Sequence, residues 1–130
     1  MTNLIQCDNI TLSKSSLCEG NGVFANKNFK KEDLIEKGIA VVLKNVDGHE
    51  NPHLFTWSND NPNTKWALLS GFAHFYNTLD DDNSNCIINR DFENNTFTCI
   101  AKYDIIKGEE LTHTYKSLKW RKCFKNMIII

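Results

Sequence analysis

Along the first third of the chain, short stretches of alternating apolar and polar residues are separated by small polar loops. Asn9-Ile10-Thr11-Leu12 alternates as a short strand does, Ser13 to Asn21 is a polar loop, and Gly20-Asn21-Gly22 leads into a second short strand, Val23-Phe24-Ala25. Lys30-Lys31-Glu32-Asp33 is a charged turn. Leu34 to Lys44 reads as one long strand or two bent ones, with a bulge expected at Gly38. Val46 to Lys65 is rich in Asn, Asp, Gly and Pro and holds one apolar anchor, His53-Leu54-Phe55-Thr56-Trp57. Trp66 to Tyr76 is dense in apolar and aromatic residues around Gly71; its periodicity fits a helical turn and a buried extended segment equally. Leu79 to Asn85 is an acidic, Asn-rich turn. Cys86-Ile87-Ile88-Asn89 and Thr96 to Tyr103 read as strands joined by a hairpin at Phe92-Glu93-Asn94-Asn95, because Asn tolerates the left-handed conformation that such turns need. Ile106 to Glu110 turns into a last strand, Leu111 to Tyr115, and Ser117 to Phe124 reads as a short helix. Many short strands, little helix and no repeats predict a mostly β domain.

At 130 residues the chain is expected to be one domain, and 41% hydrophobic residues suffice for a real core. A net charge of -1, from 15 basic and 16 acidic residues, argues against a global attraction to nucleic acid or to an acidic membrane surface. The Lys116, Lys119, Arg121, Lys122 and Lys125 cluster reads as a solvated face. No apolar run approaches the roughly 20 residues needed to span a bilayer, and the N-terminus lacks the cationic and apolar parts of a secretory signal. The expectation is a soluble intracellular protein of cytoplasm or nucleus. Five cysteines without a C-x-x-C argue for free thiols, most of them buried as small apolar groups, and against a zinc knuckle.

A sharper signal lies in the order of several segments. Gly20-Asn21-Gly22-Val23-Phe24-Ala25 is followed by Phe29-Lys30-Lys31-Glu32-Asp33-Leu34-Ile35-Glu36, then by Phe75-Tyr76-Asn77-Thr78 and Asn85-Cys86. Last comes Ala101 to Tyr115, with Gly108-Glu109-Glu110-Leu111-Thr112-His113-Thr114-Tyr115 at its end. Together these resemble the SET-domain protein lysine methyltransferases. The closest likeness is to the minimal, stand-alone SET proteins of large DNA viruses, through His53-Leu54-Phe55 and Leu69-Ser70-Gly71-Phe72. The resemblance implies a β-clip-like fold of small curved sheets with few short helices. It makes residues 1–130 a single SET domain, with a core of about 12–120 and a C-terminal tail at 117–130. A viral member would act inside its host cell.

The resemblance also implies functions for particular residues. Gly20 and Gly22 would let the backbone approach S-adenosyl-L-methionine, with Asn21 and Asn77 at the cofactor's amino-acid end. Tyr115 matches the catalytic Tyr, and Trp120 matches an aromatic over the adenine. Tyr76, His113 and His53 would lie along the channel for the substrate lysine, His113 where the family usually has an aromatic that influences how many methyl groups are added. Phe72 and Phe75 are further candidate wall residues. The chain departs from the motif in having Thr78 for the family's His, where it would bind the cofactor in that residue's place, Ser84 for its Pro and no counterpart of its Cys, on a somewhat longer loop. Those departures also fit a catalytically inactive, SET-like protein-binding module. Only Cys123 follows Tyr115, so the family's zinc segment has no counterpart, and the tail or a second subunit of a homodimer would close the channel. The implied partner is a lysine-containing protein or peptide such as a histone tail, met by an acidic groove of Asp80, Asp81, Asp82, Glu109 and Glu110. No metal site is expected: His49, His53, His74 and His113 show neither H-x-H nor H-E-x-x-H spacing.

Overall fold

The computed structural model describes residues 3–62 and 64–115. Two antiparallel sheets share one apolar core. The first takes β1 (Ile10–Lys14), β2 (Asn21–Ala25) and β8 (Glu110–Leu111) in the order β1-β2-β8. The second takes β3 (Leu34–Leu43), β4 (Phe55–Thr56), β5 (Trp66–Leu69), β6 (Cys86–Asp91) and β7 (Thr96–Ala101) in the order β4-β5-β3-β7-β6. A single 3₁₀ turn, Ala73–Phe75, is the helical element among the described residues. The fold is thus mostly β, as the alternation of the sequence predicts.

Strand alternation places Val23, Ala25, Ile35, Ala40, Phe97, Cys99, Ala101 and Leu111 in one buried cluster with Phe29, Trp57 and Tyr76. Trp57 is fully buried, and its indole N–H is satisfied by the Asn95 side chain at 2.9 Å. Asn95 ends the β6–β7 hairpin turn with φ +53°, the left-handed conformation expected of that turn.

Several boundaries differ from the sequence expectation. The bulge in β3 lies between Leu34 and Glu36, not at Gly38. Gly38 is required for another reason: a Cβ there would overlap Ser70 Oγ at 2.2 Å and the Phe97 ring at 2.6 Å. The bulge breaks strict alternation, so Ile35 and Glu36 are both buried in succession. Trp66 to Tyr76 resolves into both alternatives, a buried strand through Leu69 and then the 3₁₀ turn. The last strand stops at Leu111, because the segment beyond it bonds to Asn77 on one side and to Cys86 on the other instead of continuing along β2. Of the cysteines described, Cys86 and Cys99 are buried, Cys7 is half-buried and Cys18 is exposed. The helix expected at 117–124, Trp120, Cys123 and the basic cluster from Lys116 lie outside the described residues.

Candidate active site

Residues 111–115 thread between two loops. On one side, the His113 N–H donates to the Asn77 carbonyl at 3.1 Å and the Tyr115 N–H to Thr78 Oγ1 at 3.1 Å. On the other, the Cys86 N–H donates to the Thr112 carbonyl at 2.9 Å, and Asn85 clamps the entry. The Asn85 amide donates to the Glu110 carbonyl and its Oδ1 receives the Thr112 N–H, both at 2.9 Å. Thr114 Oγ1 closes the passage on the Leu79 carbonyl, 3.1 Å, and Ser84 Oγ, 3.2 Å. Thr78 and Ser84, two departures from the family motif, therefore hold the segment that carries Tyr115. Tyr115 is fixed at its far end as well: its hydroxyl donates to the Tyr76 carbonyl at 2.7 Å.

This threading brings Tyr115 to a cleft of about 360 Å³, lined by Asn21, Pro52, His53, His74, Phe75, Asn77 and Tyr115. Five of the candidate site residues from the sequence, Asn21, His53, Phe75, Asn77 and Tyr115, thus line one cleft. Tyr76 and His113 are buried behind Tyr115, at 1% and 4% exposure. Gly20 is exposed beside Cys18, while Gly22 is buried against Glu110 and Asn77.

Gly22 packs against a carboxylate, Glu110, which the sequence offered for an acidic groove and which is half-buried. Glu110 turns inward and accepts from Ser15 Oγ, the Ser16 N–H, Ser16 Oγ and Asn77 Nδ2 at 2.8–2.9 Å. A Cβ on Gly22 would lie 2.4 Å from Glu110 Oε2. Burial pushes the Glu110 carboxyl up, but the donors from Asn77, Ser16 and Ser15 outweigh it and hold it below the usual carboxylate range. Asp80 also has a local partner, accepting from the Asn83 N–H at 2.9 Å and side chain at 2.8 Å.

Asn77 Nδ2 lies within bonding distance of three acceptors, Glu110 Oε2, the Asn21 carbonyl and Ser15 Oγ, at 2.8–3.1 Å. Its Oδ1 receives only a long 3.8 Å contact from the Cys18 thiol among the described partners. The side chain therefore presents an acceptor oxygen at the cleft. His74 also lines the cleft, and both of its ring nitrogens face carbonyl oxygens, that of His53 at 2.5 Å and that of Leu69 at 2.6 Å. A carbonyl only accepts, so each contact is a hydrogen bond where that ring nitrogen carries the hydrogen. The contact of His74 with the His53 carbonyl links two residues of the cleft lining.

Behind Tyr115 the ring of His113 packs at 5.0 Å centroid distance from Tyr115, 6.1 Å from Tyr76 and 6.3 Å, stacked, from Phe55. Its Nε2 is buried without a partner in the described structure. Burial, and then the Arg90 charge, push its pKa down to about 3, so it is neutral at physiological pH. The unfolded chain binds a proton at His113 near the ordinary imidazole value, whereas the folded chain does not until about pH 3. Stability therefore rises with pH across that window, by up to about 1.4 kcal/mol per unit from this group. Urea unfolding from pH 6.5 to 4 should show that slope shrink by this amount in His113→Phe; equal slopes in the two proteins would refute it.

Among the described residues, no three His, Cys, Asp or Glu side chains are grouped to hold a metal ion, and no helix is long and apolar enough to cross a membrane. Glu36, which the sequence offered only as part of a motif, is wholly buried and bonded to Tyr76. Its signal was obscured because regular strand alternation does not anticipate the bulge.

Comparison with solved structures returns the same architecture. A provisionally assigned Plasmodium falciparum histone methyltransferase superposes with TM-score 0.65 at 28% identity, over 85% of this chain and 95% of that one. A chain of the Chaetomium thermophilum Polycomb Repressive Complex 2, solved with H3K27me3 and H3K27M, gives TM-score 0.68 at 18% identity, over 87% of this chain. The ATXR5 SET domain, solved with histone H3 dimethylated on R26, gives 0.65 at 20% identity, over 84% of this chain. The present chain spans 15% of the Polycomb chain and 58% of the ATXR5 chain. No curated protein matches the sequence. The SET domain family model matches residues 20–116, from the glycine turn to just past Tyr115, and the chain belongs to the SET-domain family.

Proposed function

We propose that the chain is an S-adenosyl-L-methionine-dependent protein lysine N-methyltransferase of the small, stand-alone viral type, acting on a lysine of a basic peptide such as a histone tail. The observation that carries this reading is the shared cleft of Asn21, Asn77 and Tyr115. Support comes also from the SET neighbours, two of them solved with histone H3 or its modified forms and one Polycomb structure with S-adenosylmethionine.

The cleft residues suit the cofactor's amino-acid end. Asn77 Oδ1 offers an acceptor to an ammonium group. When bound, S-adenosylmethionine supplies an electrophilic methyl group on a positively charged sulfur. The chain's own residues must then present a neutral amine. At a reference pKa of about 10.4, the neutral form of a lysine lies roughly 4–5 kcal/mol above the charged form at neutral pH. A passage walled by aromatic rings disfavours the ammonium form. Tyr115 and Phe75 line the cleft, and neutral His113, Tyr76 and Phe55 pack behind Tyr115, so this side of the cleft is aromatic. Tyr115, anchored at its N–H and at its hydroxyl, orients the amine without acting as the proton acceptor; alignment is the main contribution to a one-step displacement.

The test is transfer of a radiolabelled methyl group from S-adenosylmethionine to histones and to cell lysate, with calorimetric titration by S-adenosylhomocysteine. The expected result is heat of binding and label on lysine. Neither heat nor label would leave a SET fold serving as a binding module.

A further inference from the structure

Glu36 has no obvious place in an apolar core. It is fully buried, and its two described partners are uncharged donors: the Phe72 N–H to Oε2 at 2.9 Å and the Tyr76 hydroxyl to Oε1 at 2.7 Å. Burying a carboxylate without a cation is costly, and an apolar residue of similar size would fill the space without that cost. The bulge after Leu34 turns the side chain inward, and Gly71 is shaped to receive it. Gly71 has φ +68°, and a Cβ there would lie 2.0 Å from Glu36 Oε2.

The two oxygens grip both ends of one short segment. Oε2 holds the backbone where the 3₁₀ turn begins, at Phe72, and Oε1 holds the side chain of Tyr76 just after it ends. The carbonyl of Tyr76 is the group that receives the Tyr115 hydroxyl. Two consecutive hydrogen bonds of 2.7 Å therefore connect a buried carboxylate to the phenol in the cleft. Burial raises the Tyr76 phenol well above its ordinary value, which keeps it protonated and able to donate.

We propose that Glu36 is a positioning residue for methyl transfer: through Tyr76 its carboxylate fixes the carbonyl that orients the Tyr115 hydroxyl. The kinetic part rests on the methyltransferase reading, whereas the geometric coupling does not. In Glu36→Gln the amide oxygen satisfies the Phe72 N–H, and the amide nitrogen then meets Tyr76 with a donor where an acceptor stood.

The experiment compares wild type, Glu36→Gln, Tyr76→Phe and the double variant. It measures kcat, peptide KM, the Kd of S-adenosylhomocysteine, and the ¹³Cζ resonance of Tyr115 in tyrosine-labelled protein. Each single variant is expected to lower kcat about tenfold, the scale of one hydrogen bond to a charged group, with KM and Kd within about twofold. The double variant should lose no more than the worse single one, because both act through one path. The Tyr115 resonance should move in both single variants. An unmoved resonance, a wild-type kcat in Glu36→Gln, or losses that multiply in the double variant would overturn the proposal. A wild type that transfers no methyl group but shows the resonance shift keeps the coupling and removes the methyltransferase reading. No transfer and no shift removes both.

Discussion

Replacing Tyr115 by Phe is expected to slow methyl transfer about a hundredfold, the order of loss when one preorganised polar group leaves a reacting centre. The substitution deletes the hydroxyl that donates to the Tyr76 carbonyl at 2.7 Å and keeps the ring against His113 at 5.0 Å. It leaves Asn21, Asn77 and the Glu110 cluster intact, so S-adenosylhomocysteine should bind within about twofold of wild type. Turnover by Tyr115→Phe at the wild-type rate in the radiolabel assay would remove Tyr115 from the chemistry. Loss of both turnover and binding would make it a residue of the binding site instead.

Gly22→Ala and Gly20→Ala should behave very differently despite their nearness in sequence. A methyl group on Gly22 would press on the Glu110 carboxylate at 2.4 Å and on Asn77 Nδ2 at 3.1 Å. Glu110 would have to leave the donors of Ser15, Ser16 and Asn77, loosening the loop from Ser15 to Asn21 and the amide at the cleft. Overpacking of this kind destabilises by about 1–3 kcal/mol, a fall in Tm of roughly 5–10 °C for a domain of this size. S-adenosylhomocysteine affinity should fall with it. On Gly20 the added methyl meets only Cys18 Sγ, at an ordinary 3.7 Å, and Tm should hardly change. Calorimetric melting of the two variants decides the matter: equal Tm values would mean that Glu110 moves aside freely.

The contrast between these glycines shows how far the sequence could be read. The Gly-x-Gly turn, Asn77 and Tyr115 were legible because residue type and order are enough to mark them, and all three segments meet in the structure. What the sequence could not carry was direction. Glu110 is an acidic residue in a charged turn, and only the fold reveals that it points inward against Gly22. Thr78 stands where the family has His; its use, holding the Tyr115 N–H, depends on a segment that returns 37 residues later. Glu36 was hidden because a bulge reverses the face that alternation would assign to it. The mostly β architecture followed from the alternation itself. Strand ends did not, since β8 is cut short by the loops that trap residues 112–115.

That threaded arrangement bears on when the site comes into being. Tyr115 can be seated only after the loops at Asn77–Leu79 and Ser84–Cys86 stand on either side of its segment, and β8 reaches back across most of the chain to pair with β2. Contacts so distant in sequence form slowly, because loop closure must precede any stabilisation they bring. During synthesis the cleft therefore cannot assemble until nearly every described residue has left the ribosome.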